Sequence, residues 1–248
     1  MSGGIGAEIT EAILSPHLGE KLILHTSVGG VSIDIDLVTM IMSWIVIGIL
    51  IGLALFLRRG LRQPVDEKPT RTQALLEAIL DFIHGQLTAN FSSEQLARRL
   101  FPFVGTLFLF VLVSNWLAVI PYLQSPTKDL NVTFSFALLV LFMSQFYALR
   151  RKGVKGYIAG FFKPYPFLLP LNVIGELAKP LSHSFRLFGN MFGGAAMLSI
   201  LYTWVFAKFT AWGVPLAING FYGLFEGAIQ AFVFAILAVA YINVAVET

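Results

Sequence analysis

Apolar residues run in long blocks along this chain, and short polar segments separate one block from the next. The blocks at residues 37–57, 100–120 and 132–149 contain no charged side chain. Each block is close to the ~20 residues that an α-helix needs to cross the hydrocarbon core of a bilayer. The pattern therefore predicts three membrane-spanning helices joined by polar connections.

Two further apolar blocks are longer, and each contains a stripe of polar residues. They cover residues 169–206 and 214–246. A continuous helix through either block would be about 50 Å long or more at 1.5 Å per residue, so it must tilt, bend or begin along the interface. We therefore expect five membrane-embedded helices, of which the last two are long and steeply tilted.

Residues 71–91 show a different pattern, because apolar positions occupy one face of a helix and polar positions the other. This pattern is typical of an amphipathic helix at the membrane interface. Glu77, Asp81 and His84 share the polar face, and their spacing indicates a solvated surface rather than a metal site. The predicted fold class is an all-α polytopic membrane protein with five embedded helices and one interfacial helix.

Residues 1–36 are mixed and mostly polar, and we expect them to form a segment outside a single membrane domain of residues 37–248. No signal or transit peptide is evident. The sequence Val28-Gly-Gly-Val31, flanked by alternating apolar and polar residues, is compatible with a small β-hairpin. An irregular lead-in fits this stretch equally well.

Composition supports a membrane protein and narrows its chemistry. The chain is 56% hydrophobic and 12% charged, whereas a soluble domain has about 25% charged residues. It contains no cysteine, which excludes disulfides and thiolate metal sites. We expect no cofactor, no metal and no nucleic-acid partner.

The distribution of basic residues predicts the orientation in the membrane. Twelve of the seventeen lysines and arginines lie in the segments 58–71, 98–99 and 150–163. By the positive-inside rule these segments face the cytoplasm. The N-terminus is then outside and the C-terminus inside.

The two long helices carry the candidate chemistry. At ~100° per residue, polar side chains of the first long helix fall within an arc of roughly 120°. These side chains are Glu176, Lys179, Ser182, His183, Arg186 and Asn190. The second long helix has its own polar face, formed by Asn219, Tyr222, Glu226 and Gln230. Ionisable groups within a membrane are rare and commonly mark ion or proton pathways, so facing stripes would form an ionisable seam.

Each of these ionisable groups also has a structural interpretation. Arg186 could snorkel or pair with Glu176 for stability, and Glu226 could make a structural hydrogen bond. His183 could relay protons near neutral pH or donate to a backbone carbonyl. Glu176 and Lys179, three residues apart, could form an intrahelical pair, or Glu176 could line the inner exit of an ion path.

Two stretches carry a family resemblance. Arg186-Leu-Phe-Gly-Asn-Met191, preceded by Lys179-Pro-Leu-Ser182, closely resembles the signature of subunit a of rotary F-type ATP synthases. Residues 229–242, which begin Ile-Gln-Ala-Phe, resemble the last helix of that family. The predicted topology matches that family as well.

The resemblance implies the stator half of an ion motor in a bacterial plasma membrane. The implied partners are a rotating ring of c subunits, b-type peripheral stalk subunits and the rest of the ATP synthase. Two offset half-channels would carry protons to and from the ring, with Arg186 between them, Gln230 as its polar partner and Asn190 lining the path. The sequence shows no P-loop or other nucleotide-hydrolysing motif, so the subunit is expected to be non-catalytic.

The sequence departs from the family pattern at two positions. Many members have a carboxylate or histidine nine residues after the arginine, where this chain has Ala195, and His183 replaces what is often an aliphatic residue. Glu226 could therefore be the main titratable group of the outer half-channel. A stand-alone secondary ion transporter and a structural membrane scaffold are the alternatives, although transporters usually show internal repeats and none is visible here.

Overall fold

The computed structural model describes residues 23–28, 31–60, 71–91, 93–120, 123–163, 165–204 and 213–247. Within these ranges the chain forms a β-hairpin and six α-helices. The strands are β1 (Ile23–Val28) and β2 (Val31–Asp36), and the helices are α1 (Leu37–Gly60), α2 (Arg71–Asn90), α3 (Glu94–Leu117), α4 (Leu130–Phe161), α5 (Leu169–Trp204) and α6 (Gly213–Glu247).

The expected helical membrane class is confirmed, but the count of five membrane helices is not. Four of the described helices, α1, α3, α4 and α6, have stretches that are long and apolar enough to cross a bilayer. The fifth expected element is the helix α5, which has ample length at 36 residues. Its charged, amide and hydroxyl side chains lower its hydropathy, and it does not belong to this set of four.

The N-terminal stretch forms the hairpin, one of the two alternatives that the sequence left open. β1 and β2 pair antiparallel, with Val28 opposite Val31 and Ile23 opposite Asp36. Asp36 also starts α1, because its carboxylate accepts hydrogen bonds from the Val38 amide at 3.0 Å and the Thr39 hydroxyl at 2.9 Å. These bonds satisfy donors that a helix start otherwise leaves free. One residue therefore joins the hairpin to the first membrane helix.

α3 and α6 form the centre of the bundle. Buried side chains of α2, α3 and α6 pack in one cluster around Leu87, Leu100 and Val239. A second cluster joins α3, α4, α5 and α6 and includes Val111 and Leu187. The candidate helices α5 and α6 are thus held by a shared apolar core rather than by one contact.

α1 lies at the edge of the bundle. Its buried residues Val38, Met42 and Val46 recur every four positions and pack on α3. Large apolar side chains cover the remaining surface of α1, and Trp44 is 66% exposed. An apolar face of this size is suited to lipid rather than water.

α4 is broken near its end. Gly153 has φ 69° and ψ 166°, outside the helical region, so the helix runs from Leu130 to this residue and a short helical tail follows it to Phe161. Only glycine adopts such angles without strain. The first part extends beyond the apolar block of residues 132–149, since arginine and lysine are good helix formers. The tail then turns back towards the bundle.

α5 and α6 run antiparallel. α5 is about 54 Å long at 1.5 Å per residue, whereas the eight residues 205–212 that join it to α6 can span only about 28 Å. Because α5 and α6 pack against each other in one core, a parallel arrangement would need a longer connection than this, so the two helices are antiparallel. Both helices exceed the ~30 Å hydrocarbon core, as the sequence predicts, and α5 continues through Pro180 and the pair Gly193-Gly194 without a break.

Candidate functional site

Arg186 lies on the outward-facing side of α5. His183, Ser184 and Leu187 are buried against neighbouring helices, whereas Arg186 and Phe185 are exposed. This alternation follows from the helical period, since residues one turn apart share a face. The guanidinium is therefore presented on an apolar surface of the bundle.

The structural alternative for Arg186, an ion pair with Glu176, is not formed. Glu176 instead pairs with Lys179 on the same helix and accepts a hydrogen bond from Gln145 on α4 at 3.0 Å. Among the described residues, none makes an ion pair with Arg186. An exposed cation on an apolar face is costly in a membrane unless another group covers it.

The polar stripe that the sequence predicts on α5 is divided between two environments. Ser182 and Arg186 are exposed, Asn190 is partly buried, and His183 is buried. The stripe is roughly 120° wide, and α4 and α6 cover His183 but leave Ser182 and Arg186 uncovered. Residues at one edge of the stripe consequently point into the bundle.

His183 is enclosed between α4 and α6 and is 1% exposed. Its Nε2 lies 3.1 Å from the carbonyl oxygen of Phe234 on α6. The ring also stacks at a tilt on the Phe234 ring, with centroids 3.8 Å apart. Of the two interpretations of His183, the structure contains the hydrogen bond to a backbone carbonyl.

Ser184 connects the same turn of α5 to α4. Its hydroxyl lies 3.1 Å from the hydroxyl of Thr133, and both residues are fully buried. Two adjacent residues of α5 therefore bond to two different helices. The polar groups satisfy each other at a depth where water does not reach them.

Glu176, Lys179, Gln145 and Tyr157 form a second polar group, the Glu176 cluster. The hydroxyl of Tyr157 donates to the Gln145 side-chain oxygen at 2.5 Å, and Gln145 in turn donates to Glu176. Tyr157 reaches this cluster because the break at Gly153 turns the tail of α4 back towards the bundle. The cluster lies ten residues before Arg186, about 15 Å along the helix axis.

Glu226 and Gln230 lie one turn apart on α6, and both are partly buried. Their separation places them on one helix face, as the sequence predicts. Asn219 and Tyr222 were assigned to the same face, but their side chains lie outside the described part of the structure. Glu226 and Gln230 are therefore the described members of this polar face.

The backbone of α6 beside Glu226 is fixed by α3. Asn115 donates to the Gly227 carbonyl at 3.1 Å, and the Trp116 indole donates to the Leu224 carbonyl at 3.0 Å. A Cβ atom on Gly227 would lie 3.0 Å from the Asn115 Cβ, closer than side chains normally pack. Glycine at this position allows the two helices to approach closely.

The connection between α3 and α4 adds a further polar contact. The Thr127 hydroxyl donates to the Asn115 side-chain oxygen at 2.7 Å, and Ser125 bonds to Thr127 at 2.6 Å. Lys128 follows in the same connection, and burial lowers the pKa of its ammonium group. The Glu226 end of α6 is thus bordered by hydroxyl and amide groups.

Arg186 lies between these two polar regions along the helices. Because α5 and α6 are antiparallel and meet at His183 and Phe234, Glu226 lies towards the Asn190 end of α5. The Glu176 cluster lies towards the opposite end, where Lys152 donates to the Ala245 carbonyl of α6 at 2.8 Å. The arrangement supplies polar groups on both sides of one permanent cation.

Several residues of these contacts were missed from sequence. Asn115 and Gln145 each follow a serine within an apolar block, and Thr127 lies in the polar connection between two blocks; these interruptions are the only signal they give. The hydrogen bond from the Trp116 indole to α6 was missed as well. Gln145 and Glu176 are 31 positions apart in the sequence, and Asn115 and Gly227 are 112 positions apart. No local sequence pattern reveals contacts over such separations.

Comparison with known proteins identifies the family. The model of the family described as ATP synthase A chain matches residues 40–243. A protein of Moorella thermoacetica named ATP synthase subunit a is 39% identical over 205 residues, covering 82% of this chain and 88% of that protein.

Other relatives agree. ATP synthase subunit a of Desulforamulus reducens is 33% identical over 211 residues, covering 83% of this chain and 78% of the relative. ATP synthase subunit a 2 of Acaryochloris marina is 37% identical over 207 residues, with 84% of each protein covered. Together with the four long apolar helices, these matches show that the chain is a multi-pass membrane protein of the ATP synthase A chain family.

Proposed function

We propose that this chain is the stator subunit of an ATP synthase that carries protons to and from a rotating ring of c subunits. The observation that carries this proposal is the exposed Arg186 on an apolar helix face, with polar regions on both sides along the helices. The family membership supports the same role. Ion flow through this subunit is then coupled to ring rotation and to ATP synthesis elsewhere in the complex.

Arg186 acts on the carboxyl groups of the ring. A neutral carboxyl can move through lipid, whereas an ionised one is costly there. When a ring carboxyl reaches Arg186, the guanidinium stabilises its ionised form and lowers its pKa. The proton leaves on one side and another enters from the other. Arginine suits this role because its side chain keeps its charge at any working pH.

The outer half-channel uses the polar face of α6. Glu226 accepts and releases protons, and Gln230 and Asn190 line the path beside Arg186. Asn219 and Tyr222 extend this face towards the start of α6. The close contact of Asn115 with Gly227, one residue from Glu226, supports a fixed position for this carboxylate.

The inner half-channel uses the Glu176 cluster. Glu176 is partly buried and is hydrogen-bonded to Gln145, so a continuous polar network leads from Tyr157 to the carboxylate. Lys179 is the intrahelical partner of Glu176. Ser182 faces the ring beside Arg186.

The implied partners are the c-subunit ring, b-type peripheral stalk subunits and the remaining synthase subunits, in a bacterial plasma membrane. The N-terminal hairpin lies outside the cell and the C-terminus inside, as the basic residues predict. The subunit contributes ion translocation and no nucleotide chemistry. ATP synthesis takes place on other subunits.

Cross-linking to the ring tests this proposal. We expect cysteines at Gly189 and Phe192, exposed positions close to Arg186, to form disulfides with cysteines beside the carboxylate of the ring subunit. A cysteine at Ile51 on α1, equally exposed but on the helix that packs on α3, is the matched control and should not cross-link. Cross-links from position 51 alone, or a chain that purifies without a ring subunit, would contradict the proposal.

A further inference from the structure

The turn of α5 before Arg186 is attached to both neighbouring helices. His183 bonds to the Phe234 carbonyl of α6, and Ser184 bonds to Thr133 of α4, each at 3.1 Å. His183 is 1% exposed and Ser184 is 0% exposed. In a membrane, apolar packing alone gives two helices little preference for one register. Hydrogen bonds between the helices favour one register over others.

The His183 contact also relates Arg186 to Gln230. Arg186 follows His183 by three residues, and Gln230 precedes Phe234 by four. In antiparallel helices both steps lead about one turn in the same direction. Leu187 packs in one buried cluster with Phe234 and other residues of α6, which agrees with this alignment.

We propose that His183 is a positioning residue whose bond to the Phe234 carbonyl sets the register in which Arg186 stands beside Gln230. The inference rests on the proposed function of Arg186 and goes beyond it. It gives a role to a buried histidine that the proposed proton path does not use. His183 itself exchanges no proton with the ring.

The surroundings of His183 favour positioning over proton transfer. A relay needs an exchangeable group on each side of the imidazole, and a backbone carbonyl cannot pass a proton onward. Nδ1, on the other side of the ring, has no hydrogen-bond partner among the described atoms. His183 lines a small cavity with Ser144, Lys179 and Tyr241, and none of these side chains is hydrogen-bonded to the imidazole.

Two substitutions separate these roles in the intact synthase. His183→Gln keeps an N–H donor that can reach the Phe234 carbonyl but cannot titrate, whereas His183→Leu removes the donor. We expect His183→Leu to lower ATP synthesis per assembled complex, because losing one interhelical hydrogen bond weakens the preference for the native register about three-fold. His183→Gln should remain close to wild type. Ser43→Ala, which removes a partly buried hydrogen bond within α1 alone, is the matched control and should leave synthesis unchanged.

A register measurement makes the test independent of ion flow. The chain contains no cysteine, so cysteines at Leu187 and Ala231 report the alignment of α5 and α6 directly. In the wild-type background we expect this pair to cross-link more readily than position 187 with Ala235, one turn along α6. In His183→Leu the preference should weaken, and in His183→Gln it should be kept.

Three results would overturn the positioning role. Equal loss of synthesis in His183→Gln and His183→Leu at normal subunit content would indicate proton relay. Normal synthesis in both variants, or an unchanged cross-linking preference in His183→Leu, would show that the hydrogen bond does not set the register. The cross-linking result is read without reference to ATP synthesis, so it stands even if Arg186 proves to have another function.

Discussion

Burial divides the polar residues of α5 and α6 into groups with different physical roles. Arg186 and Ser182 are exposed, so their polar groups are available to a partner, whereas His183 and Ser184 are buried and bond to neighbouring helices. All four fall within two turns of α5. Their roles follow from the direction in which each side chain points.

Glu226 is the residue whose titration the proposed outer half-channel requires. We expect Glu226→Gln to slow ATP-driven proton pumping several-fold in membrane vesicles, because the amide cannot accept and release a proton. Glu94→Gln is the control, since Glu94 is an exposed carboxylate whose pairing with Arg98 contributes little. Unchanged pumping at full assembly in Glu226→Gln would make Glu226 a structural residue.

The sequence was sufficient to identify Arg186, Glu226 and Gln230 as candidates, because charged or amide groups in apolar blocks are conspicuous. It could not show which neighbours they have. The contact of Asn115 with Gly227 joins residues 112 positions apart, and its geometry depends on how α3 and α6 pack. Position in the membrane is encoded locally, whereas contacts between helices are not.

At the scale of elements, the close approach of α6 to Asn115 and Trp116 of α3 depends on one glycine. Gly227→Ala would place a methyl group 3.0 Å from the Asn115 Cβ and 3.3 Å from the Trp116 Cδ1. The helices must separate, at a cost of roughly 1–3 kcal/mol for an overpacked contact. We expect a lower temperature of thermal inactivation for the purified complex.

Gly220→Ala is the matched control for Gly227→Ala. Gly220 is on the same helix, and a Cβ atom there meets nothing within 4 Å. If both variants inactivate at the same temperature as wild type, close packing at Gly227 is not required for stability.

The break in α4 is a second feature at the scale of elements, and the apolar pattern does not predict it. The hydropathy block ends near residue 149, but the sequence gives no indication that the tail turns back at Gly153 and brings Tyr157 to Gln145. Glycine is common in membrane helices without a break. Only the backbone angles distinguish this glycine from the others in α4.

Gly153→Ala should destabilise the complex. The angles φ 69° and ψ 166° are essentially restricted to glycine, and such backbone strain costs of order 1–3 kcal/mol. Gly160→Ala, in the helical tail where a Cβ meets no neighbour, is the control. Subunit content and thermal inactivation are the measurements, and a Gly153→Ala complex as stable as wild type would show that the break is not essential.

At the scale of the whole molecule, the basic residues predict one orientation in the membrane. Cysteines at Lys155 and Asn131, both exposed, can be labelled with a membrane-impermeant maleimide in this naturally cysteine-free chain. Position 155 should react only from the cytoplasmic side and position 131 only from outside. Labelling of position 155 from outside alone would reverse the topology and exchange the two half-channels.

The central claim is that a permanent cation at Arg186 couples ion flow to the ring. The measurement that tests it most directly is ATP synthesis by vesicles carrying Arg186→Ala, with passive proton flux and subunit content determined on the same membranes. We expect coupled synthesis to be abolished while the subunit still inserts and passive leakage persists or rises, because no cation remains to drive deprotonation or to separate the half-channels. Arg186→Lys should also largely fail, since an ammonium lacks the planar fork of the guanidinium and can lose its proton when desolvated. Coupled synthesis near the wild-type rate in Arg186→Ala would contradict the account.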